Sequence, residues 1–204
     1  MEKPLTSKRH QARIEAFLDA AERIVVREGV DALTMAELAR ESEAAVGAVY
    51  RYLPGKGALM ARLQVRALER LGELLDHRLE HCDPAPLARV EVAFTTWQAF
   101  AGSHPALHRL VDQSLSSPDR LLDESEQLLV GEALSPLLKR CAELLEQAEI
   151  AGALSPGDSL LRTYALWAAV HGAGHFRKRW SPQAPDPELL IQELIRGMLR
   201  GWSR

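Results

Sequence analysis

Side chains that can donate hydrogen bonds to phosphate cluster in one short stretch of this sequence. Tyr50, Arg51 and Tyr52 are consecutive, and Lys56 follows four residues later. Hydroxyl and cationic side chains bind the phosphate oxygens of nucleic acids, and arginine can also bind base edges. A Pro-Gly pair precedes Lys56 at the start of a further predicted helix, where exposed amides favour phosphate. The first hypothesis is therefore contact with a nucleic-acid backbone.

Two short predicted helices position these donors. Thr34 lies three residues before Glu37, which is the spacing of a reciprocal helix cap, and the apolar Leu38 and Ala39 follow. After a short polar turn, a second helix carries Val49 among the donors. The small Ala39 lets the two helices cross closely, with Val49 filling the space between them. Two short helices joined by a tight turn form a helix-turn-helix, whose second helix can enter the DNA major groove.

These residues resemble a known family. The run TMAELA, then GAVYRYL and then PGK resembles the TetR family of bacterial transcriptional repressors, over roughly residues 10–63. The resemblance places Lys56 on the DNA backbone. The predicted DNA-contacting residues are Thr34, Ala45, Val46, Gly47, Ala48, Tyr50, Arg51, Tyr52 and Lys56.

Two positions depart from the family pattern. Glu43 stands where the turn usually has glycine, the residue that adopts a positive φ at least cost. Ala45 stands where Ser or Thr usually caps the recognition helix, and its side chain has no oxygen for the first amides. Val46 and Ala48 replace residues that are more often polar. Base recognition would then depend on contact with thymine methyl groups, on close backbone approach and on Arg51.

Local charge favours contact with DNA, although the whole chain carries a formal net charge of −3. Residues 1–13 hold four basic side chains and one acidic, a local charge of +3, and lead into a first helix predicted at 8–28. Residues 46–71 hold five basic and one acidic, a local charge of +4. Arg66 and Arg70 in this segment have two interpretations, contact with phosphate or an ordinary solvated helix face.

Metal and enzyme chemistry have weaker support. Six of the seven histidines form i, i+4 pairs, the spacing at which a helix offers two nitrogens to one metal: His77/His81, His104/His108 and His171/His175. His81 and His104 fall at predicted helix ends, and no neighbouring Cys or Glu set completes a tetrahedral site. We therefore predict no metal site and no cofactor. Neither a nucleophile elbow nor a phosphate-binding glycine loop is present, so we predict no enzymatic activity.

Apolar residues recur at three- and four-residue steps along most of the chain, which predicts an all-α protein of about nine helices. We divide it into a helix-turn-helix domain, 1–56, and a helical effector-binding and dimerisation domain, 57–204. A fourth helix at 57–77 would link the two, and the polar stretch 114–127 is predicted to be exposed. Neither a signal peptide nor an apolar run of the roughly 20 residues needed to cross a bilayer is found, so we expect no membrane partner and a cytoplasmic location.

Large or polar-tipped side chains on the later helices are candidates for lining an effector pocket, because such pockets are mostly apolar with a few placed polar groups. Each could equally be plain core. The candidates are Trp97, Phe100, His108, Tyr164, Trp167 and His171. The resemblance also implies that the last two helices pack against a twin as a four-helix dimer interface. Intrachain core is the alternative, but a two-fold operator requires a two-fold dimer.

The sequence thus predicts a dimeric, ligand-responsive DNA-binding regulator, a repressor that binds a palindromic operator in double-stranded DNA and is released by a small-molecule effector. In the resembled family a ligand moves the fourth helix and changes the spacing of two recognition helices, which must lie about 34 Å apart. The alternative is a helical ligand-binding or interaction protein that has lost specific DNA binding. Glu41 and Glu43, as carboxylates near phosphates, and the missing cap at Ala45 motivate that alternative.

Overall fold

Nine α-helices and one short 3₁₀ helix make up most of residues 3–116, 122–175 and 185–203, which are the residues that the computed structural model describes. No β-strand occurs among them, and the predicted all-α fold is confirmed. The 3₁₀ helix is Val30–Ala32. The α-helices are α1 (Lys3–Glu28), α2 (Met35–Glu41), α3 (Val46–Tyr52), α4 (Lys56–Glu80), α5 (Pro86–Ser103), α6 (Pro105–Ser116), α7 (Glu124–Ile150), α8 (Ser159–His175) and α9 (Pro187–Trp202).

The chain packs as two compact units. The first comprises residues 1–69 and 101–133, and the second comprises 70–100 and 134–204. Helices α4 and α7 therefore begin in the first unit and end in the second. Within the described ranges, no helix is both long enough and apolar enough to cross a membrane.

The core of the first unit forms where α1 meets the two short helices. Phe17 and Ile24 of α1, Leu38 of α2 and Val49 of α3 are each fully buried. Burying a side chain of this size contributes about 1.5–3 kcal/mol. The apolar residues of α1 and those at the crossing of α2 with α3 therefore form one core, which holds α3 in place.

Gly29 ends α1, as its position after the last apolar residue of the helix predicts. Its φ is +90°, which glycine adopts without the steric cost of a Cβ. Its ψ of 170° is extended rather than helical, so the chain leaves α1 directly into the 3₁₀ helix. The Gly29 amide still donates to the Val25 carbonyl oxygen at 3.0 Å and completes the last turn of α1.

Helix α7 begins earlier than the polar stretch 114–127 suggests. Residues 117–121 of that stretch lie outside the described residues, but Glu124 already opens the helix. The Asp123 carboxylate accepts from the Glu126 amide at 2.9 Å, and the Glu126 carboxylate accepts from the Asp123 amide at 2.8 Å. This reciprocal cap satisfies two terminal amides and explains why a polar, acidic segment starts a helix.

In the second unit, α8 and α9 pack against each other. The segment that precedes α8 is also hydrogen-bonded to the last residue of α9. The Ser155 amide and hydroxyl both donate to the Trp202 carbonyl oxygen at 2.7 Å. The Arg162 guanidinium lies 5.0 Å from the centre of the Trp202 ring and donates to the Ser155 carbonyl oxygen at 2.8 Å. Residues 176–184, which follow α8 in the sequence, lie outside the described residues.

Candidate DNA-binding surface and effector cavity

Thr34 caps α2 as its spacing predicts. Its hydroxyl accepts from the Glu37 amide at 3.1 Å. The Glu37 carboxylate accepts from Arg40 Nε at 2.9 Å instead of returning to the start of the helix. Half of the reciprocal cap is therefore present, and Thr34 lies at the exposed N-terminal end of α2.

The turn between α2 and α3 bends through Glu43, whose φ is +49°. A left-handed conformation costs a residue with a Cβ about 1–2 kcal/mol. The Ala44 amide donates to the Ala39 carbonyl oxygen at 2.9 Å, and the Ser42 hydroxyl donates to the Leu38 carbonyl oxygen at 2.6 Å. These hydrogen bonds offset the strain, so the turn forms without its usual glycine.

Helix α3 presents most of its side chains to solvent. Val49 alone is fully buried, whereas Val46 and Tyr50 are 45% and 47% exposed. Gly47 and Arg51 are also exposed, and a Cβ placed on Gly47 would meet nothing within 4 Å. Ala48 is half-buried, and Ala45 at the N-cap makes no side-chain hydrogen bond. The predicted contact residues thus line an open, largely uncharged face.

The two tyrosines of α3 have different surroundings. Tyr52 is half-buried, with its ring centre 5.8 Å from that of Phe17 in an edge-on arrangement and 4.8 Å from that of His10. Tyr50 is exposed. The expectation that two tyrosines two residues apart cannot both face inward is confirmed. Tyr52 therefore anchors α3 to α1, while the hydroxyl of Tyr50 is free to meet a partner.

Lys56 is exposed in the first turn of α4, on the same unit as α3. In the predicted basic arm, Lys8 and Arg9 are exposed, and the side chain of Lys3 lies outside the described residues. The Arg13 guanidinium lies 4.7 Å from the centre of the Phe17 ring. The arm is therefore exposed to solvent at Lys8 and Arg9, and Arg13 contacts the core residue Phe17.

Arg66 does not belong to the basic surface that the sequence suggested. Its side chain is only 12% exposed, and its guanidinium binds Asp19 at 2.6 Å and the carboxylate of Glu15. Burial alone lowers the pKa of Arg66, but the hydrogen bonds that its guanidinium donates to Glu15 and Asp19 outweigh that effect and raise the pKa. Arg66 thus fastens α4 to α1, which is a structural role.

Glu41 faces α1 rather than a DNA partner. Its two carboxylate oxygens accept from Arg23 Nε and from Arg27 Nη2, each at 3.0 Å. The hydrogen bonds from Arg27 and then from Arg23 hold the pKa of Glu41 below its ordinary value of 4.5. Because this carboxylate is neutralised within the unit, Glu41 does not support the alternative of lost DNA binding. Glu43 stays exposed.

A narrow cavity lies within the second unit, with a volume of about 50 Å³. Four helices form its wall: Leu71 and Leu75 come from α4, Phe94 and Trp97 from α5, Leu138 from α7, and Trp167 from α8. The wall is almost entirely apolar. A space of this size holds a few atoms at most, so a drug-sized ligand would have to push these helices apart.

The few polar groups on the wall are already satisfied or uncharged. The Thr96 hydroxyl donates to the Val92 carbonyl oxygen at 2.7 Å and accepts from Arg78 at 3.0 Å. Burial raises the pKa of the Cys141 thiol to about 11, so it stays protonated at neutral pH. The cavity therefore presents a surface without net charge.

Two of the predicted pocket residues, Trp97 and Trp167, line this cavity. The His171 ring lies between them, with ring centres 4.7 Å from that of Trp97 and 4.4 Å from that of Trp167. Phe100 is fully buried beside Trp97. Tyr164 is 48% exposed on α8. His108 lies on α6 in the first unit.

Sequence reasoning missed the aliphatic part of this wall and the thiol of Cys141. Leu71 and Leu138 belong to regular apolar stripes on α4 and α7, which gave no reason to prefer cavity over core. Only the aromatic and histidine side chains stood out. Their role in ligand binding stays a prediction.

His81 lies at a helix end, as predicted, and its ring still lies close to that of His77. Helix α4 extends to Glu80, three residues beyond the predicted end at His77. The rings of His77 and His81 lie 4.5 Å apart, centre to centre, and Glu80 joins them. In the second pair, Nδ1 of His104 and the hydroxyl of Ser103 form a hydrogen bond of 2.9 Å. In the third pair, the side chain of His175 lies outside the described residues.

Comparison with known proteins identifies the helix-turn-helix segment. Residues 17–63 match the family described as bacterial regulatory proteins, tetR family. The chain carries a TetR-family helix-turn-helix domain. The matched segment runs from Phe17 of the core through the α2–α3 turn to Leu63 of α4. The predicted family resemblance is confirmed over this segment. No curated relative matches the chain.

Solved structures share the TetR fold over almost the whole chain. A protein of unknown function from Rhodococcus sp. RHA1 superposes with a TM-score of 0.76 at 21% identity, covering 94% of this chain and 95% of that one. A TetR-family regulator from Agrobacterium tumefaciens gives 0.67 at 18% identity, covering 96% and 100%. PfmR, a TetR-family transcriptional regulator from Thermus thermophilus, gives 0.66 at 15% identity, covering 92% and 99%. At these identities the likeness establishes the fold.

Supplying the cap that the TetR domain lacks should stabilise it. We expect Ala45→Ser to raise the free energy of unfolding by about 0.5–2 kcal/mol, because a serine oxygen can accept from the first free amides of α3. The backbone at Ala45 is already extended, as a capping residue requires. Urea unfolding followed by circular dichroism measures the change. An unchanged or lower midpoint would show that the amides of α3 are already satisfied.

The ion pairs of Glu41 predict a pH dependence. Because the folded-state pKa of Glu41 is depressed, its contribution to stability is fully present above about pH 4.5 and is lost as the pH falls through the lower folded value. We expect Glu41→Gln to lower the melting temperature at pH 7. The difference from wild type should shrink steadily below pH 4.5. Thermal melts of both proteins between pH 3 and pH 7 test this, and a constant difference would contradict it.

Proposed function

We propose that this chain is a ligand-responsive DNA-binding transcriptional regulator, and specifically a repressor that acts in the bacterial cytoplasm. The observation that carries the proposal is the exposed face of α3, held over the buried Val49 in a TetR-family domain. A rigid helix with an unoccupied outer face is what entry into a major groove requires. The head would comprise residues 1–56 and the effector and dimer region residues 57–204.

Contacts with DNA would divide between backbone and bases. Tyr50 and Lys56 are exposed donors, and we assign them to phosphate oxygens. Arg51 is exposed on the same helix and can reach a base edge or a phosphate. Val46 offers an apolar surface to thymine methyl groups, and Gly47 lets the backbone come close. Thr34 is exposed at the start of α2, where a hydroxyl suits a phosphate.

Three arginines of the first unit, Arg23, Arg27 and Arg66, are paired with carboxylates within that unit and add little positive charge to a DNA-binding surface. Affinity would therefore depend strongly on Lys56, Arg51 and the Lys8–Arg9 arm. Affinity would also depend on two such domains binding the same DNA at once, since each domain alone would make few contacts. A dimer is thus part of the proposal.

The outer face of α8 supports a dimer through the last two helices. Leu161 is 66% exposed and Tyr164 is 48% exposed, and the small, exposed Ala168 and Gly172 follow on the same face. A contiguous row of exposed apolar residues along one helix is typical of an interaction surface. Small residues let a partner helix approach closely. We infer that α8 and α9 of one chain pack against α8 and α9 of its twin.

We propose that the effector is a small, largely apolar molecule without net charge. The cavity wall has no charged side chain, and its polar groups, Thr96 and Cys141, are satisfied or protonated. Because the cavity is narrow, a ligand would displace part of its wall. Leu71 and Leu75 belong to α4, the helix that also carries Lys56. Displacement of α4 is therefore a direct route from ligand to DNA contact.

Selection from a random pool of double-stranded DNA tests the proposed function. The purified full-length chain should enrich an inverted repeat whose half-sites are centred about 34–36 Å apart, or 10–10.5 base pairs. Small apolar compounds can then be screened for release of the selected DNA. If several rounds enrich no sequence, the alternative of a helical interaction protein that has lost DNA binding replaces the proposal. The exposed Glu43 would then be the first residue to examine.

A further inference from the structure

A histidine, a glutamate and a second histidine meet at the C-terminal end of α4. One ligand atom each from His77, Glu80 and His81 lies within 4.8 Å of the other two, and all three side chains are exposed. Bonds of about 2.0–2.2 Å from a metal to nitrogen and oxygen would place neighbouring ligand atoms about 3–3.5 Å apart. Small rotations of the three exposed side chains are enough to bring their ligand atoms to this separation.

A hydrogen bond holds the ring of His81 against the end of α4. Its Nδ1 lies 2.7 Å from the carbonyl oxygen of His77. A carbonyl oxygen can only accept a hydrogen bond, so Nδ1 carries the proton and donates it. In the neutral ring, Nε2 then keeps its lone pair for a metal. Histidines that bind metals commonly show this arrangement, with the other ring nitrogen bound to a carbonyl or carboxylate.

The surroundings also favour a cation. The C-terminal end of a helix carries a partial negative charge, and the carboxylate of Glu80 adds a full one. The nearby Arg89 donates to the Leu79 carbonyl oxygen at 3.2 Å, and the Cys82 thiol donates to the same oxygen at 3.4 Å. Both side chains are thus engaged with the helix end. Water can reach the exposed site and complete the coordination of an ion.

We propose that His77, Glu80 and His81 bind one divalent transition-metal ion of the zinc, nickel or copper class. Two imidazoles and one carboxylate suit these metals, whereas calcium and magnesium prefer oxygen ligands alone. The ion joins His77 in the last turn of α4 to His81 beyond its end, so it fixes the end of the helix. The proposal does not depend on DNA binding.

Calorimetric titration of zinc or nickel chloride into the metal-free, untagged full-length chain tests the site. The expected result is one ion bound per chain. His77→Ala and His81→Ala should each weaken binding by at least about 10-fold, since losing even a hydrogen-bond partner of a metal ligand costs 10–100-fold. Glu80→Gln should weaken it as well. Circular dichroism checks that each variant keeps its helices.

A double variant, His104→Ala with His108→Ala, is the matched control, because it removes another i, i+4 pair and should leave binding unchanged. The hydrogen bond from His81 could instead serve only to cap α4. In that case His81→Ala would alter the melting temperature, but no ion would bind to either protein. Absence of binding overturns the proposal. Binding that survives the His77 and His81 variants, or that disappears in Cys82→Ser, overturns it too.

Discussion

Lys56→Ala should weaken binding to the selected operator by about 10- to 100-fold at 0.1 M salt. A dimer carries two such lysines, and a hydrogen bond of about 1 kcal/mol from each to a phosphate accounts for a loss of this size. Removal of two charges should also reduce the slope of log affinity against log salt by about 1.8. Fluorescence anisotropy over a salt series measures both quantities.

Lys139→Ala is the matched control for this change, because Lys139 is an exposed lysine on α7 in the second unit. It alters the net charge of the chain equally and should leave the salt slope unchanged. Tyr50→Phe should weaken binding as well, with the slope preserved, since it removes a hydrogen bond but no charge. If Lys56→Ala and Tyr50→Phe both leave the affinity intact, the assignment of DNA contacts to this face is wrong.

Leu161→Glu should convert the dimer to a monomer and lower the affinity for the operator by more than about 100-fold. The glutamate would place a charge within the proposed apolar interface, where its desolvation is not compensated. Each half-site would then be bound alone, without the 10²- to 10⁴-fold gain of two linked contacts. Analytical ultracentrifugation gives the mass, and anisotropy gives the affinity.

Leu128→Glu is the control for the change in mass. Leu128 lies on α7 in the first unit and is 65% exposed, close to the 66% of Leu161. The same substitution at equal exposure should leave the dimer intact. If Leu161→Glu remains a dimer, the interface lies elsewhere, and the exposed apolar face of α8 requires another explanation.

Local patterns predicted most of the first unit. The apolar stripe of α1, the cap at Thr34 and the alternate environments of Tyr50 and Tyr52 follow from helix periodicity and short-range hydrogen bonds. The strain at Glu43 also follows, because the family turn requires a positive φ. These features depend on neighbours within a few residues, so the sequence contains them directly.

Features that depend on distant partners were not predictable. Arg66 meets Asp19 and Glu15, which lie 47 and 51 residues away, and no spacing rule links such positions. The aliphatic cavity wall has the same pattern as ordinary core. The clustering of His77, Glu80 and His81 was not predicted for a different reason. The end of α4 was predicted three residues too early, at His77, so Glu80 was not expected on the same helix.

The central claim is that this chain binds one DNA sequence as a dimer through the exposed face of α3. Anisotropy titration of the full-length protein against its selected operator, with a scrambled duplex as competitor, tests that claim most directly. We predict saturable binding of two chains per duplex that survives the competitor and weakens steeply with salt. Equal affinity for operator and scrambled duplex would contradict the claim.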